Sequence, residues 1–162
     1  MPDNRASIAT LLAEIDEMTP GGFAIGLHVV FTGPAFLFQT FPQPWTEHYA
    51  NRGLHLADPA VAWSLAHTGH VHWSALAADD PAGVIAAARA HGLRYGTTMA
   101  IFERDSRSVL GCARPDRDYL DAELDDIRAR LSALHRLTLG RATLPPALEA
   151  ALRKMSIRLS HG

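Results

Sequence analysis

The residues of this chain best placed for metal or nucleophilic chemistry are its histidines and its single cysteine. His70-Val71-His72 is a His-x-His pair, and on an extended segment alternate residues share a face, so the two imidazoles can hold one transition metal between them. A third ligand would have to come from His67 or a carboxylate. The alternative is that all three are surface and packing groups around Trp73. Cys112 needs a neighbouring histidine to lower its pKa before it can attack anything, and a lone cysteine in an apolar strand otherwise behaves as a small buried hydrophobe. The chain has no Gly-rich phosphate loop, no G-x-S-x-G elbow, no H-E-x-x-H and no paired cysteine ligands. No catalytic residue, metal or cofactor is expected. A net charge of −2 with 20% charged residues leaves no basic field for a phosphate backbone, so direct nucleic-acid contact is not expected either. Arg153, Lys154 and Arg158 suit the solvated face of a tail helix or an acidic partner.

The elements that must position these side chains read as follows. Ser7 caps a helix whose Ile8, Leu11, Leu12, Ile15 and Met18 share a face, stopped by Pro20-Gly21-Gly22. From Phe23 to Phe31 apolar residues alternate, with Phe23, Ile25, Leu27, Val29 and Phe31 on one side, and Thr32-Gly33-Pro34 turns the chain into a partner strand from Ala35 to Phe41. A short helix from Pro44 to about Arg52 sets Trp45 and Tyr49 on one face. Asp58-Pro59 and Asp80-Pro81 each read as an N-cap followed by proline at the first helical position. A second hairpin joins Thr97 to Phe102 with Arg107 to about Ala113, and a long helix with Leu120, Leu124, Ile127, Leu131 and Leu134 on one stripe runs from about Asp116 to Leu139. That stripe suits a core or a dimer seam. The expected fold is α+β, an antiparallel sheet sandwiched between helices, with one domain over residues 1–140. Residues 141–162 read as a separable linker and a short helix carrying Leu148, Leu152, Met155 and Leu159. A single cysteine and a start without an apolar leader point to the cytoplasm, and no apolar run approaches the ~20 residues that span a bilayer.

One series of residues is more specific. Phe41-Pro42-Gln43-Pro44-Trp45-Thr46-Glu47-His48-Tyr49 is followed by Asp58-Pro59, then Trp73-Ser74, then Gly92-Leu93-Arg94-Tyr95-Gly96-Thr97-Thr98. A W-x-x-x-Y pair, a D-P, a later tryptophan and G-L-x-x-G-x-T in this order resemble the autoinducer-binding domain of LuxR-type quorum-sensing regulators, over roughly Ile8 to Leu139. The resemblance implies a PAS/GAF-like pheromone-binding fold and an N-acyl-homoserine lactone as ligand, whose polar head and apolar tail need a few aimed polar groups in a hydrophobic cavity. It implies that the Trp45 indole donates to the lactone carbonyl, that Asp58 accepts the amide N–H, that Trp73 packs on the ring and that Tyr49 lines the acyl channel. Phe41, Val61 and Thr98 join the wall, and the tail lies among Leu27, Val29, Leu37 and Gln39. Gly92 and Gly96 are read as turn residues.

Two departures matter for ligand choice. Phe41 stands where many members carry a tyrosine, which removes a hydrogen bond of roughly 0.5–1.5 kcal/mol. Near the end of the fourth strand, where members often carry a small hydroxyl residue, this chain has Cys112, Ala113 and Arg114; an inward Arg114 would call for an extra acceptor or negative charge on the ligand. Residues 141–162 do not amount to a helix-turn-helix module. The expectation is a modulator that sequesters the signal, or that forms a homodimer or a heterodimer with a full-length regulator; a piece cut at the linker is the other reading. Two further classes stay open: an interaction protein whose pocket is filled by its own side chains, and an enzyme acting on an acyl or lactone substrate through His67, His70 and His72.

Overall fold

The computed structural model describes residues 4–31 and 33–161; residues 1–3, 32 and 162, and with them Thr32 of the expected first turn, lie outside the described residues. The first helix, α1 (Asn4–Met18), starts ahead of Ser7 and buries Ile8, Leu12 and Ile15 completely. Strands β1 (Phe23–Val30) and β2 (Gly33–Gln39) form the first hairpin, with Ile25 opposite Phe38 and Gly26 opposite Leu37. The second joins β4 (Tyr95–Glu103) to β5 (Ser106–Arg114) through Arg104 and Asp105, both at positive φ, as a two-residue turn requires. Two strands had no clear signal in the sequence, β3 (Gly69–His72) and β6 (Arg158–His161). The six described strands pair antiparallel in the order β3-β4-β5-β1-β2-β6, which makes β5 and β1 the middle of the sheet.

The helices divide between the two faces. Helices α1, α5 (Asp121–Thr138) and α6 (Pro146–Lys154) cover one face, where Phe23, Ile25, Leu27, Phe36, Phe38, Leu110 and Cys112 meet Leu124, Ile127, Leu131 and Leu134. The stripe of α5 is therefore core. Its helix starts later than Asp116 because Glu123, held by Arg117, accepts the Leu120 N–H and fixes the first turn. Arg117 and that N–H also pull the Glu123 carboxyl down to about 2. Helices α2 (Gln43–Asn51), α3 (Pro59–Ala66) and α4 (Val84–Ala90) lie over the other face. Asp58 caps α3 through the Ala60 N–H at 2.9 Å, as expected. Asp80 does not place Pro81 at the helix start: its carboxylate reaches past a turn to the Val84 and Ile85 N–H groups.

Residues 141–162 are not a separable tail. Leu148 and Leu152 of α6 belong to the same core as α1 and α5, and β6 extends the sheet beside β2. The apolar period that suggested one helix to Leu159 is broken at Ser156, which sits at φ 58 and ends α6. The Arg158 guanidinium donates to the Phe41 carbonyl and ties this last strand to the start of α2.

A polar knot interrupts the first face. β1 bulges at His28, whose φ of 55 turns its ring toward α5. Its Nε2 meets the His135 carbonyl and the Thr138 hydroxyl at 3.1 and 2.9 Å, while Nδ1 meets Ser106 Oγ at 2.6 Å. His135 donates from Nε2 to the Glu103 carbonyl and accepts Ser108 Oγ–H at Nδ1. Because carbonyls only accept, both rings carry a proton on Nε2. Burial, and next the nearby His135, hold the His28 pKa below its ordinary value.

Candidate ligand-binding cleft

Helix α2 supplies two aromatic side chains one turn apart. Trp45 is buried and packs edge-on against Tyr49 at 5.6 Å, with the rings of His48 at 5.9 Å and His91 at 5.3 Å. The Tyr49 hydroxyl donates to Asp58 Oδ2 at 2.8 Å, and Oδ1 takes the Ala60 N–H of the cap. Burial raises the pKa of this carboxyl, while the Tyr49 hydroxyl and the cap N–H oppose the rise. Burial and the adjacent carboxylate raise the pKa of Tyr49 as well, so its hydroxyl stays a donor. Each Asp58 oxygen has a second lone pair and can take a further N–H or O–H. The Trp45 ring is buried, yet its indole N–H has no hydrogen-bond partner among the described residues, and because no fully enclosed side-chain nitrogen or oxygen lacks one, this N–H opens onto solvent. A donor without an acceptor and a carboxylate with spare acceptor capacity thus share one layer.

Trp73 is fixed differently. Its indole donates to Thr98 Oγ1 at 2.9 Å, and its ring lies against Gly96, where a Cβ would come within 2.0 Å of the ring carbons. Gly96 is therefore a close-approach glycine inside β4, not the turn residue expected; Gly92, at φ 87, is a turn residue.

The sheet beneath this layer is paved with small residues. Ala24, Gly26, Thr98, Ala100, Gly111 and Ala113 face the α2–α4 side, alternating with the large side chains of the other face. Ala24, Val109 and Gly111 remain partly exposed although β1 and β5 are the middle strands, whereas Ile25, Leu110 and Cys112 beside them are fully buried. The helices on this side leave the centre of the sheet uncovered. The result is an opening over the small residues of the sheet, with Trp45, Tyr49 and Asp58 in the layer of helices beside it.

Of the residues named from the sequence, the structure gathers Phe41, Trp45, Tyr49, Asp58, Trp73 and Thr98 on this side. Leu37 and Gln39 follow as the β2 partners of Gly26 and Ala24, and Val61 is half-buried on α3 beside Ala60. Two named residues are not there. Leu27 belongs to the core under α1 and α5, because the alternation that puts Gly26 on the cleft turns Leu27 away; the bulge then returns Val29 to the Gly26 side. Arg114 shares the Cys112 side of β5, where its guanidinium pairs with Asp116 and lies over Tyr119. Sequence reasoning missed Gly111, Val109 and Ala24, although a glycine inside a strand pattern is a usable signal for close approach or open space.

The remaining candidates disperse. His67 stacks on Trp63, and His70 and His72 face Asp121 and Asp118 at 3.7 and 3.9 Å; among the described residues no three potential ligands converge. The Cys112 thiol, fully buried over the Thr97 carbonyl, is pushed up to about 12 by burial and stays protonated. A groove of about 540 Å³ between α1 and α5, lined by Leu11, Ala133 and Leu137 with Ser7, Thr10 and Arg136, lies across the sheet from the aromatic layer and brings no buried donor or acceptor together. Among the described residues no helix is long and apolar enough to cross a membrane.

Comparison with known proteins gives the family and the fold. Residues 25–141, most of the chain, match the autoinducer binding domain family. The HTH-type quorum-sensing regulator RhlR of Pseudomonas aeruginosa is 28% identical over 145 residues, which are 87% of this chain and 60% of RhlR, so the chain spans less than two thirds of that relative. The fold is shared with CepR2 of Burkholderia cenocepacia, an N-acylhomoserine lactone dependent LuxR family factor: TM-score 0.61, 20% identity, 88% of this chain and 86% of the other covered. It is shared also with SdiA of Escherichia coli: TM-score 0.59, 20% identity, 96% and 63% covered. A structure of SdiA in complex with octanoyl-rac-glycerol gives TM-score 0.60 at 21% identity, with 96% and 71% covered. This chain belongs to the autoinducer-binding domain family of LuxR-type quorum-sensing regulators, a signal-binding receptor domain and not an enzyme.

Proposed function

We propose that the chain binds an N-acyl-homoserine lactone in the cleft between the small-residue floor and helices α2 to α4. The observation that carries this reading is the Trp45 indole N–H, which has no hydrogen-bond partner among the described residues, in one layer with an Asp58 carboxylate that has lone pairs to spare. A lactone carbonyl satisfies the first and an amide N–H the second. With Arg114 on the other face, the ligand is neutral, and the apolar floor takes its tail. Trp73 closes the head end and Tyr49 orients Asp58 as well as lining the channel. Family membership supports a role in quorum-sensing regulation, and we propose that this module signals, or modulates signalling, by pairing with a second copy or with a full-length regulator. No cofactor enters this scheme, and we place the protein in the cytoplasm, where a diffusible lactone would reach it.

Thermal stability against a panel of acyl-homoserine lactones tests the reading. A ligand at ~100 times its dissociation constant adds about 2.7 kcal/mol to the native state. The expected result is a shift that depends on chain length and is lost in Asp58→Ala and reduced in Trp45→Phe. No shift with any lactone, in folded protein free of copurified ligand, overturns it. The glycerol ester held by SdiA carries a carbonyl and hydroxyl donors, so the same panel should include it.

A further inference from the structure

Among the described residues, pairs of histidine rings differ in what their nitrogens are doing. His28 and His135 lie 4.4 Å apart by ring centroids, and a carbonyl or hydroxyl engages every ring nitrogen. His70 and His72 lie 6.2 Å apart, the first facing Asp121 and the second facing Asp118 and the Thr97 hydroxyl. His48 of α2 and His91 at the C-terminal end of α4 are 5.1 Å apart. The Ala87 carbonyl takes a hydrogen bond from His91 Nδ1 at 2.9 Å, which leaves the Nε2 lone pair open. Metal-ligating histidines are held in this way, with the other ring N–H on a carbonyl or carboxylate. Neither ring nitrogen of His48 has a partner among the described residues, and since no enclosed side-chain nitrogen lacks one, both open onto solvent. The buried Trp45 ring backs the pair, stacking on His48 at 5.9 Å and meeting His91 at 5.3 Å. Two imidazoles on one tetrahedral ion, with metal–nitrogen bonds of about 2.0–2.1 Å, set their ring centroids roughly 5 Å apart. His48 and His91 meet that spacing, and their free nitrogens set them apart from the other two pairs.

We propose that His48 and His91 form a two-histidine site for a divalent transition-metal ion, with water in the remaining coordination positions. Imidazole ligands without a carboxylate select zinc, nickel or copper over magnesium and calcium. No third side-chain ligand converges among the described residues, so the ion stays open to solvent and is held less tightly than a structural zinc. Once bound, it ties α2 to the end of α4 and braces the layer that carries Trp45. The inference needs no acyl ligand and stands or falls apart from the lactone reading.

The test titrates the untagged, chelator-treated chain with Zn(II), Ni(II) and Cu(II), and with Mg(II) and Ca(II) as controls. Calorimetry reads stoichiometry, and tryptophan emission reads position, because Ni(II) and Cu(II) quench an indole lying against their ligands. The expected result is one site per chain filled ahead of any other, tightest for Cu(II), with no heat from Mg(II) or Ca(II). Saturating Zn(II) should raise the melting temperature by several degrees. His48→Gln and His91→Gln should each weaken binding tenfold or more, while the double variant His70→Gln, His72→Gln leaves it unchanged. Trp45→Phe should keep the site and lose the quenching. In the unaltered chain, substoichiometric Cu(II) should broaden the imidazole resonances of His48 and His91 before those of the other histidines, a reading that needs no variant to fold. Absence of a stoichiometric site, binding unchanged in either single glutamine variant, or broadening that falls first on other histidines overturns the proposal. Quenching that persists in Trp45→Phe places the ion elsewhere, as beside the stacked Trp63 and His67, and overturns it as well.

Discussion

Leu110 and Val109 are neighbours on β5 and point into different environments. Leu110 enters a core closed by α1, α5 and α6 and is fully buried; Val109 enters the cleft and stays partly exposed. The same division runs through β1 and β4, where Ile25 and Met99 face the core while Ala24 and Thr98 face the cleft. Because side chains of a strand alternate, one set of strands builds a packed half and an open half without compromise between them. Full burial is concentrated on one side and the proposed recognition on the other.

Substitutions can break this division, and the largest effect is expected in the closed half. Leu110→Ala should cost about 2–5 kcal/mol in urea denaturation, as for other buried leucines; a cost under about 1 kcal/mol would show that the core is not closed. Gly96→Ala should follow at roughly 1–3 kcal/mol, because the Trp73 ring lies directly against Gly96 and overpacking this contact must move the indole. Loss of the Trp73 fluorescence environment would accompany it.

The halves should also respond to acid with opposite signs. The depressed pKa of His28 means that the unfolded chain takes up a proton first as pH falls below about 6.5, so stability is full above that pH and declines toward and through the folded-state value. The raised pKa of Asp58 means that the folded chain takes up a proton first, so the cost of burying this carboxylate is felt at neutral pH and is relieved as pH falls through the folded value toward about 3.8. Urea midpoints between pH 8 and 4 should therefore fall less steeply below pH 6.5 in a His28→Asn variant, and should lose their late acid recovery in Asp58→Asn. Smaller still, Trp45→Phe should change the empty protein little while weakening a bound carbonyl ligand by about 0.5–1.5 kcal/mol. The least effect is expected for Val109→Ala, within about 1 kcal/mol, since little packs on it; a cost equal to that of Leu110→Ala would erase the distinction between the faces.

The sequence carried the closed half well, because its signals are periodic. The α5 stripe, the α1 stripe and the alternation through Leu27 follow directly from burial on one side. The cap at Asp58 and the gathering of Trp45, Tyr49 and Trp73 were legible too, the first from capping chemistry and the second only through resemblance to a family. The failures have local causes. The bulge that follows Gly26 reverses facing at His28, a residue that seldom adopts positive φ, so Leu27 and Val29 could not be told apart. Ser156 ends α6 in a left-handed conformation that serine gives no warning of, which hid β6. Arg114 was misplaced by one step of alternation, since its neighbour Ala113 is the residue that faces the α2–α4 side.

The contact between Arg158 and the Phe41 carbonyl makes the last strand something more than an extension of the sheet. β6 pairs only with β2, so it is an edge that can open while the rest of the domain stays folded. Each opening releases Arg158 from the residue that leads into α2, and α2 carries Trp45. Amide exchange should therefore report β6 and the first turn of α2 as one unit that opens together, and ligand held by Trp45 should slow exchange in a strand it does not touch.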